Sequence, residues 1–117
     1  SRSAPLPPAP PEDWDETRRK ADAAWEQASV ATALTFCDQR GCTTGESESL
    51  LSALQGYHDD LSTLRADIRD GRIAPAAARR HAADRRAEAL AAVEAAIGRA
   101  EAAQLNQMLA GHRGGGF

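Results

Sequence analysis

Six large apolar residues on one stretch constrain the fold more than anything else in the chain. Leu50, Leu54, Tyr57, Leu61, Leu64 and Ile68 recur at strict 4-3-4-3-4 spacing. That spacing puts all six on one stripe of an α-helix, a seam of about two and a half heptads. A seam of this kind demands at least one partner helix. Thr43 and Glu46 stand three residues apart just before it and fit a capping box. Gly71 follows Asp70 where glycine favours a helix end. The spacing therefore predicts a helix over about 44–70.

Two further helices flank it. One is predicted over about 12–38. Pro10 and Pro11 precede it, and Glu12, Asp13, Asp15 and Glu16 load its first turns. Acidic charge there complements the positive end of the helix dipole. Its apolar face is thin: Trp14, Ala21, Trp25, Ala28, Thr32 and Phe36. The other is predicted over about 75–110, with Pro75 at the first helical position and Gly111 as its stop. Its stripe reads Ala83, Arg86 or Ala87, Leu90, Val93, Ile97, Ala100, Leu105 and Met108. Gly98 falls inside this helix as a tolerated residue costing about 1 kcal/mol. Links of a few residues favour antiparallel neighbours. The expectation is an all-α fold of three long helices, an up-down-up bundle or an open helical hairpin, in a single domain over 12–110.

Composition limits how well such a bundle closes. Of 117 residues 26 are alanine, with two Trp, two Phe, one Tyr and one Met. The core is expected along the seam, with Leu54, Leu61 and Leu64 buried and Leu61→Ala costing about 2–4 kcal/mol. No apolar run approaches the ~18 residues of a membrane span. A net charge of −3 argues against a nucleic-acid partner held by a basic surface.

The ends differ from the middle. Residues 1–11 hold five of the six prolines and read as an extended arm of polyproline type. Residues 111–117 form a glycine-rich tail. The chain opens at Ser1 without Met, which reads as the product of signal-peptide removal.

Cys37 and Cys42 are the only cysteines. Gly41 permits the left-handed turn that would bring them within disulfide reach. Two cysteines make no structural zinc site unaided, and four intervening residues do not suit a redox pair. A disulfide implies an oxidising compartment, so the expected location is periplasmic or secreted. Loop closure over so short a ring is worth about 2 kcal/mol.

Nothing identifies a reaction, so no catalytic residue and no cofactor is expected. His58-Asp59-Asp60 are adjacent and do not share a helix face. His58, His81 and His112 meet only if tertiary packing brings them together, and no metal is expected. Ser47, Ser49 and Ser52 cluster at a helix start, where such residues cap. One basic patch, Arg79, Arg80, Arg85 and Arg86, is a candidate partner surface. Trp14 and Trp25, eleven residues apart on one face, are candidate aromatic anchors beside the proline-rich arm.

The order of elements resembles the small periplasmic helical proteins of the Spy/CpxP type and their CnrX-like metal-sensing relatives. The resemblance spans Thr44 to Arg113. It rests on Thr44-Gly45-Glu46-Ser47 before a leucine-spaced helix, on the Gly71-to-Pro75 turn, and on the closing Gln104-Leu105-Asn106-Gln107-Met108-Leu109. The family's Leu-Thr-x-x-Gln motif is missing at both of its expected places. The resemblance implies an envelope compartment and a cradle-like dimer that binds unfolded chains or senses stress, so a homodimer is among the expected states. The leading expectation is a non-enzymatic exported interaction protein, an accessory or structural subunit of a bacterial envelope complex. The alternative is a Spy/CpxP-like periplasmic chaperone or a stress or metal sensor.

Overall fold

A computed structural model describes residues 12–111, with side chains from Glu16 onward. The expected proline-rich arm, the residues after Gly111, the Trp14 side chain and His112 lie outside the described residues. Those described are helical throughout, in the order α1 (Glu12–Arg40), α2 (Thr44–Arg69), α3 (Pro75–Ile97) and α4 (Arg99–Ala110).

The turns between the long helices follow the local sequence. Gly41 adopts φ 79°, and the Gly41 and Cys42 amides both donate to the Cys37 carbonyl, at 2.8 and 3.0 Å. This left-handed cap satisfies the open end of α1. The Thr43 hydroxyl accepts from the Glu46 amide at 3.1 Å, and the Glu46 carboxylate accepts from the Thr43 amide at 2.8 Å, completing the capping box. Gly71 at φ 73° closes α2 in the same manner, with the Arg72 amide on the Asp67 carbonyl at 2.8 Å.

The third helix differs from expectation. It is not continuous over 75–110 but breaks at Gly98, which has φ 88° and ψ 163°. One residue serves both segments: its amide donates to the Glu94 carbonyl at 2.8 Å, and its carbonyl accepts from the Ala102 amide at 3.0 Å. Only glycine adopts such a backbone without strain. Packing supplies the reason for the break. In a straight helix Ala102, Leu105 and Leu109 would point well away from the stripe of Ala89, Val93 and Ile97. The kink turns both sets inward, and all six are buried.

Residue pairings give the layout. Asp22 meets Arg65 and Trp25 meets His58, while Arg40 meets Glu46, so α1 and α2 run antiparallel. Asp60 meets Arg85 as α3 returns along the other side of α2. Helix α2 thus packs between α1 and α3, and α4 bridges α3 and α1. No Cα of α1 comes within 8 Å of α3. The molecule is long and narrow, 66 × 24 × 20 Å, with a radius of gyration of 17.3 Å. A compact domain of this length would have about 13 Å.

The cluster of large core residues occupies one end, although Ala78 is buried toward the other. Leu50, Leu54 and Tyr57 of the seam are buried with Ala33, Phe36, Cys37, Val93, Leu105 and Leu109. Of the three leucines expected to be buried, Leu54 is, while beyond Tyr57 the seam is only partly covered. Leu61 and Leu64 are half-buried and Ile68 is 39% exposed. Alanine dominance explains this: the far half of α3 carries Ala76, Ala77, Ala78, Ala82 and Ala83, of which Ala78 is buried but none is large enough to cover the seam. Leu61→Ala is accordingly expected to cost about 1–2 kcal/mol, measured by urea unfolding, and less than truncation of a fully buried leucine.

Candidate functional site

The open half of the bundle is a valley with α2 as its floor. At the closed end α4 lies over this floor, and Leu105 and Leu109 join Leu50 and Leu54 in one cluster. Past Tyr57 the floor continues as Leu61, Leu64 and Ile68. Helical phase shows which residues form the walls. Phe36 borders the groove beside α4, and Trp25 lies eleven residues earlier, three turns along the same stripe. Leu90 and Ile97 pack at the closed end, and Arg86 and Arg79 continue their stripe at 4, 7 and 11 residue offsets. The stripe of α3 that is apolar at the closed end is therefore basic along the open half.

Trp25 is partly exposed and held by α2. Its ring meets His58 edge-on, with centroids 4.4 Å apart at 81°, and the Arg65 guanidinium lies 5.9 Å from its centroid. Arg65 is fixed by Asp22 at 2.7 Å. On the outer side of the same helix pair, Arg19, Asp22, Glu26, Asp59 and Ser62 surround His58 in a polar cleft of about 250 Å3.

His58 is 7% exposed. Its pKa falls below 6.5, first because burial penalises the imidazolium and then because Arg65 lies close; Asp22 and Asp59 oppose the shift. A neutral folded histidine gives the unfolded state the greater proton uptake, so stability rises with pH across this window. The contribution is complete above pH 6.5 and is lost as pH falls through and below it. Urea unfolding at pH 7.5 and pH 5 is expected to show a larger acid loss for the native chain than for His58→Gln.

The basic patch divides. Arg85 pairs with Glu88 at 3.1 Å and approaches Asp60 at 3.9 Å. Those partners hold its guanidinium further in the charged form, the hydrogen bond to Glu88 foremost. Arg79, Arg80 and Arg86 are exposed and make no ion pair with a described residue. Of these, Arg79 and Arg86 border the valley. His81 is exposed on α3 and His58 buried on α2, and the described residues contain no group of three or more His, Cys, Asp or Glu able to hold a metal.

Cys37 and Cys42 sit at disulfide distance, Cα atoms 4.8 Å apart. Alkylation of unreduced, freshly isolated protein is expected to label neither thiol, with both becoming reactive after reduction. Beside them Arg40 joins three helices, donating to Glu101 at 3.0 Å and Glu46 at 3.2 Å. The amide of Thr43, then Arg40, holds the Glu46 carboxyl below its ordinary value. Sequence reading missed Arg40 because its partners lie in α4 and in the α2 cap, and only the kink at Gly98 brings Glu101 to it.

Among the described residues no helix is long and apolar enough to cross a membrane. Compared with family models, with curated proteins and with solved structures, the chain matches none.

Proposed function

We propose that this chain is a non-enzymatic, exported helical interaction protein, an accessory or structural subunit of a bacterial envelope assembly. One observation carries the reading: the apolar seam of α2 runs on past the core, where Leu61 and Leu64 are only partly buried and Ile68 is exposed. A monomer gains nothing by exposing Ile68 and leaving Leu61 and Leu64 incompletely covered on one line; a partner that completes their burial gains apolar contact. One observation supports the compartment: the cysteines lie at disulfide distance, a pairing that persists in oxidising surroundings.

The open trough also favours a second reading, a chaperone or stress sensor that holds extended clients along the same line. Affinity capture of the tagged protein from native envelope separates them. One partner in stoichiometric amount supports the subunit. Many partners in sub-stoichiometric amounts support the chaperone. Recovery of the protein alone, with no partner at native abundance, overturns both.

A further inference from the structure

We propose that the open half of the valley binds a short acidic amphipathic helix, about three turns long, from a partner protein. This rests on the reading of the chain as an interaction protein and names the site and the chemistry of its partner.

The molecule already holds one such helix in the same valley. Helix α4 has 12 residues, buries Ala102, Leu105 and Leu109 on one face, and fixes its edge through Glu101 on Arg40. The open half repeats the features that receive α4. Its floor is apolar, with Leu61 and Ile68 seven residues apart, about 10 Å along the helix. One wall presents Trp25, three turns from the Phe36 that borders α4. The other presents Arg79 and Arg86, also seven residues apart, exposed and without an ion pair to a described residue. From Tyr57 to Ile68 the floor spans eleven residues, roughly 16 Å, which matches a helix the length of α4.

The charge selects the occupant. Two arginines at heptad spacing beside an apolar strip are the complement of a helix with leucines at 3–4 spacing and carboxylates seven residues apart on its flank. A basic helix would meet Arg79 and Arg86 as like charges and be rejected. A three-turn helix also fits the ends of the site, because α4 occupies the valley on the Leu50 and Leu54 side of Tyr57.

The probes are two synthetic 14-residue helical peptides with the same leucine pattern, one carrying glutamates seven apart and the other lysines there. Calorimetric titration into the full chain is expected to show binding of the glutamate peptide, at least tenfold weaker binding of the lysine peptide, and loss of affinity at raised salt. Arg79→Glu with Arg86→Glu is expected to weaken the glutamate peptide at least tenfold and to improve the lysine peptide. Both arginines are exposed, so circular dichroism should show the helices retained. A benzophenone at position 68 should cross-link the glutamate peptide, and one at Leu34, exposed outside the valley, should not. Equal affinity for the two peptides, an unchanged affinity in the double variant, or equal capture from position 34 overturns the proposal. So does binding of phosphatidylglycerol vesicles through the two arginines with no binding of the glutamate peptide. A native envelope partner that the double variant retains in full leaves the interaction reading standing and removes the valley as its site. Arginine-dependent peptide binding with no envelope partner keeps the site and removes the subunit reading.

Discussion

Leu105→Ala is expected to lower the stability of the protein by about 2–5 kcal/mol and its melting temperature by roughly 10–20 °C. Leu105 has no solvent exposure and lies in the one cluster that joins all four helices. Truncation removes its transfer free energy and leaves a cavity under α4, where the surrounding alanines cannot close in. The effect should exceed that of an equal change on the open seam. Ile68→Ala, at a position 39% exposed, should shift stability by less than about 1 kcal/mol. Paired urea and thermal unfolding curves give both values. A change under 1 kcal/mol for Leu105→Ala would mean that α4 does not dock, and the valley would then be open along its whole length.

The second large effect is expected at Gly98. A Cβ added there meets nothing within 4 Å, so no clash obscures the result. The backbone at φ 88° and ψ 163° is the whole cost. Gly98→Ala should destabilise by about 1–3 kcal/mol, the range for a residue forced into a glycine-only region. Its relief is a straight helix from Pro75 to Ala110, which would pull Glu101 from Arg40 and uncover Leu105 and Leu109. Small-angle scattering should then show a radius of gyration larger than that measured for the unsubstituted protein. D-alanine at the same position, placed by chemical ligation, accepts positive φ and should restore native stability and dimensions. Equal stability of the L-alanine and D-alanine proteins would show that the backbone break is not required.

The sequence by itself determined α1 and α2 and their ends. Seam spacing, the Thr43–Glu46 box and glycines 41 and 71 are local signals, each acting within one or two turns, and α1 and α2 begin and end within two residues of where those signals put them. The approach of Cys37 to Cys42 was legible for the same reason, since five residues and one left-handed glycine settle it. Tertiary structure decided the rest. Whether Gly98 stays helical depends on whether Leu105 and Leu109 gain more by joining the cluster of Leu50 and Leu54 than the broken turn costs, and the two pairs of leucines are more than 50 residues apart in the chain. The same long-range competition set how far the seam is covered. Leu50 and Ile68 occupy equivalent positions on one stripe, and periodicity cannot distinguish them. Leu50 is buried in the cluster to which all four helices contribute, while Ile68 stays exposed because the alanines of α3 leave nothing large enough to span the gap to α1. The candidate site was visible only as separate pieces, Trp25 on one helix and Arg79 and Arg86 on another. Their relation to the incompletely covered part of the seam came from three helices packing in a row with the middle one as floor, which no spacing within a single helix encodes.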